Sequence, residues 1–121
     1  NKKVSKIEVF IYAATLAPAS VTLDLYSGGA YPTAGTLLGS ATNTAIQLSP
    51  AAYYAWTLCN IVIGTGITYY AVITHNNDGT TGVTVELPLG NPYSGGSKWI
   101  NLAGWIDAVD NDTTFRITTC D

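Results

Sequence analysis

The chain has 121 residues, with a formal net charge of −3 at pH 7. Charged residues make up only 11% of it and hydrophobic residues 47%, which excludes a disordered chain and a coiled coil, because both depend on abundant charge. The small negative charge also argues against a basic surface, so nucleic acid is not an expected partner. The length fits one domain, residues 1–121, around one hydrophobic core.

The hydrophobic pattern predicts strands along the whole chain. In residues 4–12, apolar Ile7, Val9 and Ile11 occupy every second position, the period typical of a strand with one buried face. Residues 21–26 alternate in the same way, with Val21, Leu23 and Leu25 as the apolar set, and so do residues 83–87. Segments rich in β-branched and aromatic residues indicate further strands. These are residues 37–42, 55–62, 68–74 and 113–120, with a weaker candidate at 98–101.

Seven to eight short strands separated by Gly, Pro, Asn and Asp clusters predict an all-β fold, an antiparallel β-sandwich. A jelly roll suits the strand number and the long connections better than a hairpin barrel does. The first and last predicted strands, 4–12 and 113–120, are expected to lie side by side in one sheet. The longest weakly polar stretch, 61–73, is too short to cross a bilayer as a helix, so no membrane insertion is expected.

Several segments resemble a known group of domains. Residues 32–40, Pro-Thr-Ala-Gly-Thr-Leu-Leu-Gly-Ser, follow a strand and a Gly-rich turn, and residues 66–73 begin Gly-Ile-Thr-Tyr-Tyr. Tyr-Ser-Gly-Gly at 93–96, then Trp105, then Asp-Thr-Thr-Phe-Arg-Ile at 112–117 complete the series. In this order they resemble the jelly-roll domains appended to secreted, surface-anchored bacterial proteins, which are similar to carbohydrate-binding modules. The resemblance implies a jelly roll and does not specify ligand-binding residues.

The two cysteines, Cys59 and Cys120, are the minimum for one disulfide. A bridge between them would tether the last strand near its end and contribute about 4 kcal/mol in the chain-entropy model. Two unpaired buried thiols are the alternative. The sequence therefore predicts a Cys59–Cys120 disulfide and, with it, a secreted or cell-surface location.

Residues suited to catalysis are scarce. His75 is the one histidine, and no Gly-x-Ser-x-Gly sequence provides a nucleophile for it. Glu8 and Glu86, the two glutamates, alternate with apolar residues, which favours solvated outer-face positions over the facing carboxylates of a glycosidase. Cys59 as a thiol nucleophile competes with the predicted disulfide. The sequence thus predicts a protein without enzyme activity.

Metal ligands are also few, and no cofactor is predicted. Asp107, Asp110, Asn111 and Asp112 form an acidic cluster whose oxygens are of the type that Ca²⁺ takes, but their spacing does not match an EF-hand loop. A structural Ca²⁺ and a solvated acidic turn, capped by Asp112, therefore both stay open. One histidine and two cysteines do not supply the four ligands of a zinc site.

The aromatic residues, 3 Trp, 8 Tyr and 2 Phe, carry the functional prediction. Sugar rings have apolar CH faces that stack on flat aromatic rings, while polar side chains bind the hydroxyls. One cluster of this composition is Tyr53, Tyr54 and Trp56. For each tryptophan, the alternative to sugar binding is a position in the core, with its N–H donating to a backbone carbonyl. The other cluster consists of Tyr93, Lys98, Trp99, Asn101, Trp105 and Asp107.

The second cluster predicts an extracellular, non-catalytic module that recognises carbohydrate. Its aromatic members would stack on the sugar, and its polar members would hydrogen-bond the hydroxyls. The stacking residues are Trp99, Trp105 and Tyr93, and the polar residues are Lys98, Asn101 and Asp107.

A structural or adhesion subunit of a filament, surface layer or virion is the alternative function. In that case the aromatic residues on predicted outer faces, Phe10, Tyr26 and Tyr31, would contact neighbouring protein subunits. The low proportion of charged residues favours such association. The expected partner is therefore either a carbohydrate or a neighbouring subunit.

Overall fold

A computed structural model describes most of the strands of this protein. The backbone is described for residues 2–13, 18–28, 35–48, 50–64, 67, 69–76, 83–85, 98–101, 105–108 and 115–120. The side chains of residues 12, 13, 59, 60, 83–85, 98–101, 105–108 and 120 lie outside the description. Within these residues the fold is all-β, and no helix has the length and apolar character that a bilayer crossing requires.

The predicted strands are present, several of them with shifted ends. The strand at residues 37–42 extends to eleven residues, and Trp105–Ala108 forms a strand that the sequence did not predict. In chain order the strands are β1 Lys2–Ala13, β2 Ala19–Ser27, β3 Thr36–Ile46, β4 Ala52–Ile63, β5 Tyr69–His75, β6 Val83–Val85, β7 Lys98–Asn101, β8 Trp105–Ala108 and β9 Phe115–Cys120.

Two of the sheets are built around a central strand, and all their pairings are antiparallel. In the first sheet β1 pairs with β4 along one edge and with β9 and β6 along the other, so that Glu8 lies opposite both Ala55 and Arg116. The predicted pairing of the first and last strands is thereby confirmed. In the second sheet β2 lies between β3 and β5.

Both sheets contribute to one hydrophobic core, in a sandwich-like arrangement. Alternate residues of β1 and β2 are buried, as predicted, because a period of two places them on the same face of their sheet. Burying each large apolar side chain stabilises the fold by about 1.5–3 kcal/mol. The core comprises Val4, Ile7, Val9, Ile11, Ala19, Val21, Leu23, Leu25, Ile46, Trp56 and Leu58.

Side chains of β3 and β4 join the two sheets along one side. Asn43 Nδ2 donates to the carbonyl oxygen of Ala55 at 3.2 Å, and the backbone N–H of Gln47 donates to the Tyr54 hydroxyl at 3.1 Å. Gly39 permits the close approach, since a Cβ at this position would lie 2.6 Å from Ile61 Cδ1. These contacts satisfy polar backbone groups at strand edges.

Candidate functional site

The β7–β8 pair brings together four of the six residues predicted to bind carbohydrate. Trp99 lies opposite Asp107, and Asn101 lies opposite Trp105. In an antiparallel pair, directly opposed residues share a face, and so do residues two positions apart on one strand. The four positions therefore fall on one face of the two-stranded sheet, which we call the Trp face.

The other two predicted residues are not part of this set. Lys98 pairs with Ala108, and Ile100 pairs with Ile106, so these positions form the opposite face of the pair. Lys98 thus occupies a register position on the face opposite Trp99, Asn101, Trp105 and Asp107. Tyr93 lies outside the described residues.

Aromatic and polar positions are interleaved on the Trp face. Trp99 and Trp105 occupy diagonal positions of the ladder, which are about 7–8 Å apart in antiparallel sheets. Asn101 and Asp107 occupy the other diagonal, each directly opposite a tryptophan position, at a typical Cβ separation of about 4.5–5.5 Å. The pair therefore combines two apolar aromatic residues with one amide and one carboxylate within a small area.

The cluster of Tyr53, Tyr54 and Trp56 does not form a binding platform, so this alternative was wrong. Trp56 is 1% exposed and is part of the core, and its Nε1 donates to the carbonyl oxygen of Val21 at 2.9 Å. A buried indole with its N–H satisfied has the structural role of a core side chain. The alternation of Tyr54, Trp56 and Leu58, which places all three on one face of β4, was the sequence signal for this burial.

Tyr53 belongs instead to a cluster on the outer face of the first sheet. Its ring meets Phe10 edge to face, with centroids 5.2 Å apart, and Arg116 Cζ lies 3.5 Å from the ring centroid. Arg116 Nη2 also lies 2.8 Å from Glu8 Oε2, and Lys6 Nζ lies 3.4 Å from Glu8 Oε1. The cluster links β1, β4 and β9 through aromatic and ionic contacts.

The charges in this cluster lower the pKa of Glu8. Partial burial raises the pKa of the carboxyl, but the hydrogen bond and positive charge of Arg116, together with those of Lys6, outweigh that effect. The pKa of Glu8 therefore lies below its ordinary value of 4.5. Glu8 occupies the outer face, as the alternation predicted, but its side chain is 15% exposed and ion-paired rather than freely solvated.

The histidine, the cysteines and the possible metal ligands do not form a metal site among the described residues. His75 is exposed and ends β5, the strand-end position that the sequence predicted. Cys59 is in β4 and Cys120 in β9, on strands that pair with opposite edges of β1. Among the described residues, no three His, Cys, Asp or Glu side chains form a group that could hold a metal. Glu86 and the predicted Ca²⁺ residues Asp110, Asn111 and Asp112 lie outside the described residues.

The aromatic residues proposed for subunit contacts occupy different surroundings. Phe10 packs against Tyr53, whereas Tyr26 is half-buried on the outer face of the second sheet, opposite Tyr70. On the same face Thr22 Oγ1 hydrogen-bonds Thr42 Oγ1 at 3.0 Å. Tyr31 lies outside the described residues.

No protein-family model, curated protein or solved structure matches this chain. The resemblance to jelly-roll domains of secreted bacterial proteins therefore stays a prediction. The register of β7 and β8 and the residue types on the Trp face are the basis for inferring a function.

Proposed function

We propose that this protein is a non-catalytic extracellular module that binds carbohydrate through the Trp face of β7–β8. The observation that supports it is the register in which Trp99 opposes Asp107 and Asn101 opposes Trp105. Two indoles offer flat apolar area to the CH faces of sugars. An amide and a carboxylate beside them can accept and donate the hydrogen bonds that fix sugar hydroxyls.

The composition of the opposite face favours the Trp face as the ligand-binding one. Three of its four positions are aliphatic, namely Ile100, Ile106 and Ala108. An aliphatic face is suited to packing against the protein, whereas burying Asp107 without a partner would be costly. A two-stranded sheet is also marginal alone and needs one face covered. The residue types thus favour the Trp face, and not the opposite face, as the one that binds ligand.

Binding by variants tests this proposal. Wild-type protein is titrated with soluble polysaccharides and pulled down with insoluble ones, with tryptophan fluorescence as the readout. Trp99→Ala and Trp105→Ala are each expected to weaken binding at least tenfold, because each removes a stacking surface. Tyr26→Ala, which removes an aromatic side chain from the second sheet, serves as the control and should bind like wild type.

Two outcomes of this experiment would count against the proposal. One is a wild-type protein that binds nothing across a broad glycan panel. The other is binding in which both tryptophan variants retain the affinity of the Tyr26→Ala control.

The jelly-roll topology and the extracellular location are part of the same proposal. The antiparallel sheets, with the first and last strands adjacent, support a jelly roll. The disulfide Cys59–Cys120 stays a prediction from the sequence, since the two side chains lie outside the description.

Assembly into a larger structure is a second candidate function, favoured by exposed apolar side chains. In β9, Phe115 is 40% exposed and Ile117 50%, and Val62 in β4 is 50% exposed. Apolar surface of this kind promotes association when few charges oppose it. Light scattering over a range of protein concentrations tests the idea, and a strict monomer at all of them would exclude self-assembly.

A further inference from the structure

We infer that the Trp face selects uncharged sugars over acidic ones; this inference rests on the proposed carbohydrate-binding function and specifies its ligand class. Asp107 occupies the Trp face, whereas Lys98, the cation predicted to bind the ligand, occupies the opposite face. The sequence predicted a site with one positive and one negative residue, whereas the register leaves only the negative residue on the Trp face. This arrangement leaves a carboxylate and an amide beside the tryptophans, without the cation.

The remaining cations of the chain belong to other elements. Of the five Lys and Arg residues, only Lys98 lies in β7 or β8. Lys6 and Arg116 are ion-paired with Glu8 on the first sheet, and Arg116 also covers the Tyr53 ring. The other two, Lys2 and Lys3, are the first residues of β1. Within β7–β8, the one position that carries a cation therefore lies on the face opposite the tryptophan positions.

The negative charge of Asp107 is the reason why uncharged sugars should bind more tightly than acidic ones. A carboxylate accepts hydrogen bonds from hydroxyls through two oxygens, so it favours a polyhydroxyl ligand. An acidic sugar stacked on the neighbouring tryptophans would bring a like charge close to Asp107. The net charge of −3 adds a weaker, longer-range repulsion that salt screens. Uncharged sugars keep the hydrogen bonds and avoid both repulsions.

Calorimetric titration with matched ligands at low ionic strength tests the inference. The first pair is a galactose oligosaccharide and the galacturonic acid oligosaccharide of the same length and linkage. The second is a glucose oligosaccharide and its glucuronic acid counterpart, so that the result does not depend on one sugar configuration. Wild-type protein is expected to bind the uncharged member of a pair roughly tenfold more tightly or better.

Charge-neutralising variants separate the local effect of Asp107 from the overall charge. Asp107→Asn is expected to reduce the preference to within about twofold by raising the affinity for the acidic ligand. Asp24→Asn makes the same change in net charge on the second sheet and keeps the oxygen that accepts from Ser40, so it should retain the wild-type preference. Asp107→Ser provides a second variant if Asp107→Asn does not fold.

The outcomes distinguish this inference from the proposed function. If wild-type protein binds neither member of any pair, and no other glycan, the carbohydrate-binding function itself is wrong. If it binds acidic sugars as tightly as uncharged ones, the function stands and the selectivity is overturned. The selectivity is likewise overturned if the Asp107→Asn and Asp24→Asn variants prefer uncharged over acidic ligands to the same degree. The charge of Asp107 would then act only through the net charge of the protein.

Discussion

Trp56 shows how the environment of a single tryptophan determines its role. Its indole lies in the core between the two sheets and donates a hydrogen bond to the carbonyl oxygen of Val21. Large apolar area and one satisfied N–H are what a core position requires. Trp99 and Trp105 are paired in register with Asp107 and Asn101 instead, so polar residues occupy the positions opposite them.

The core role of Trp56 predicts a large loss of stability on substitution. Trp56→Phe leaves the Val21 carbonyl without its donor and creates a small cavity, so we expect a loss of about 2–4 kcal/mol. Urea unfolding measures the difference. Thr57→Ala, at the exposed neighbouring position, is the control and should change stability by less than about 0.5 kcal/mol. A Trp56→Phe variant as stable as this control would contradict the assigned role.

Glu8 predicts a pH dependence whose sign follows from its lowered pKa. Because the pKa is lower in the folded protein than its ordinary value of 4.5, ionised Glu8 stabilises the fold above that pH. The contribution disappears as the pH falls through the folded-state pKa. Urea unfolding at a series of pH values should therefore show that Glu8→Gln is less stable than wild type at pH 7. The free energies of unfolding of the two proteins should converge as the pH falls into the acid range. A difference in stability that stays constant from pH 7 to pH 2 would contradict the ion-pair account.

At the scale of strands, the alternation of residues in β1 and β2 was sufficient to predict both the strands and their buried faces. The sequence did not reveal β8, because Trp105–Ala108 has four residues and begins with two apolar ones, so it shows no alternation. Strand pairing was harder still, since it depends on contacts between distant segments. The grouping of Trp99 with Asp107, and the separation of Lys98 from them, became visible only through the register of β7 and β8.

The order of strands also bears on the cysteines. β1 lies between β4, which carries Cys59, and β9, which carries Cys120. Strands separated by a third strand are about 9–10 Å apart, whereas the Cα atoms of a disulfide are within about 7 Å of each other. The Cys59–Cys120 bridge that the sequence predicts would therefore require a local departure from this strand order near the two cysteines.

Thiol titration of the purified protein, unfolded without reductant, tests for the bridge. Two reactive thiols per chain would agree with β4 and β9 on opposite edges of β1. No reactive thiol, in a protein whose non-reduced mass is that of a single chain, would establish the bridge and contradict that order near the two cysteines. A disulfide-linked dimer would leave the order intact and place a cysteine at a contact between chains.

At the scale of the whole molecule, the described strands fall into two groups, the two core sheets and the β7–β8 pair. Two antiparallel sheets form the core, and on the first of them Phe10, Tyr53 and Arg116 contact one another. The β7–β8 pair carries two of the three tryptophans, with an amide and a carboxylate on the same face. The binding surface that we propose thus belongs to β7–β8, whereas the core residues belong to the other two sheets.

The indole region of a ¹H–¹⁵N NMR spectrum, recorded during titration with an uncharged oligosaccharide, tests the role of the Trp face most directly. The three tryptophans give three indole N–H signals, each assigned by substitution of its residue. The signals of Trp99 and Trp105 should move as ligand is added, while the signal of Trp56, buried and bonded to Val21, should stay in place and exchange slowly with solvent. A titration in which bound ligand leaves the Trp99 and Trp105 signals unmoved would contradict the assignment of the binding surface to this face.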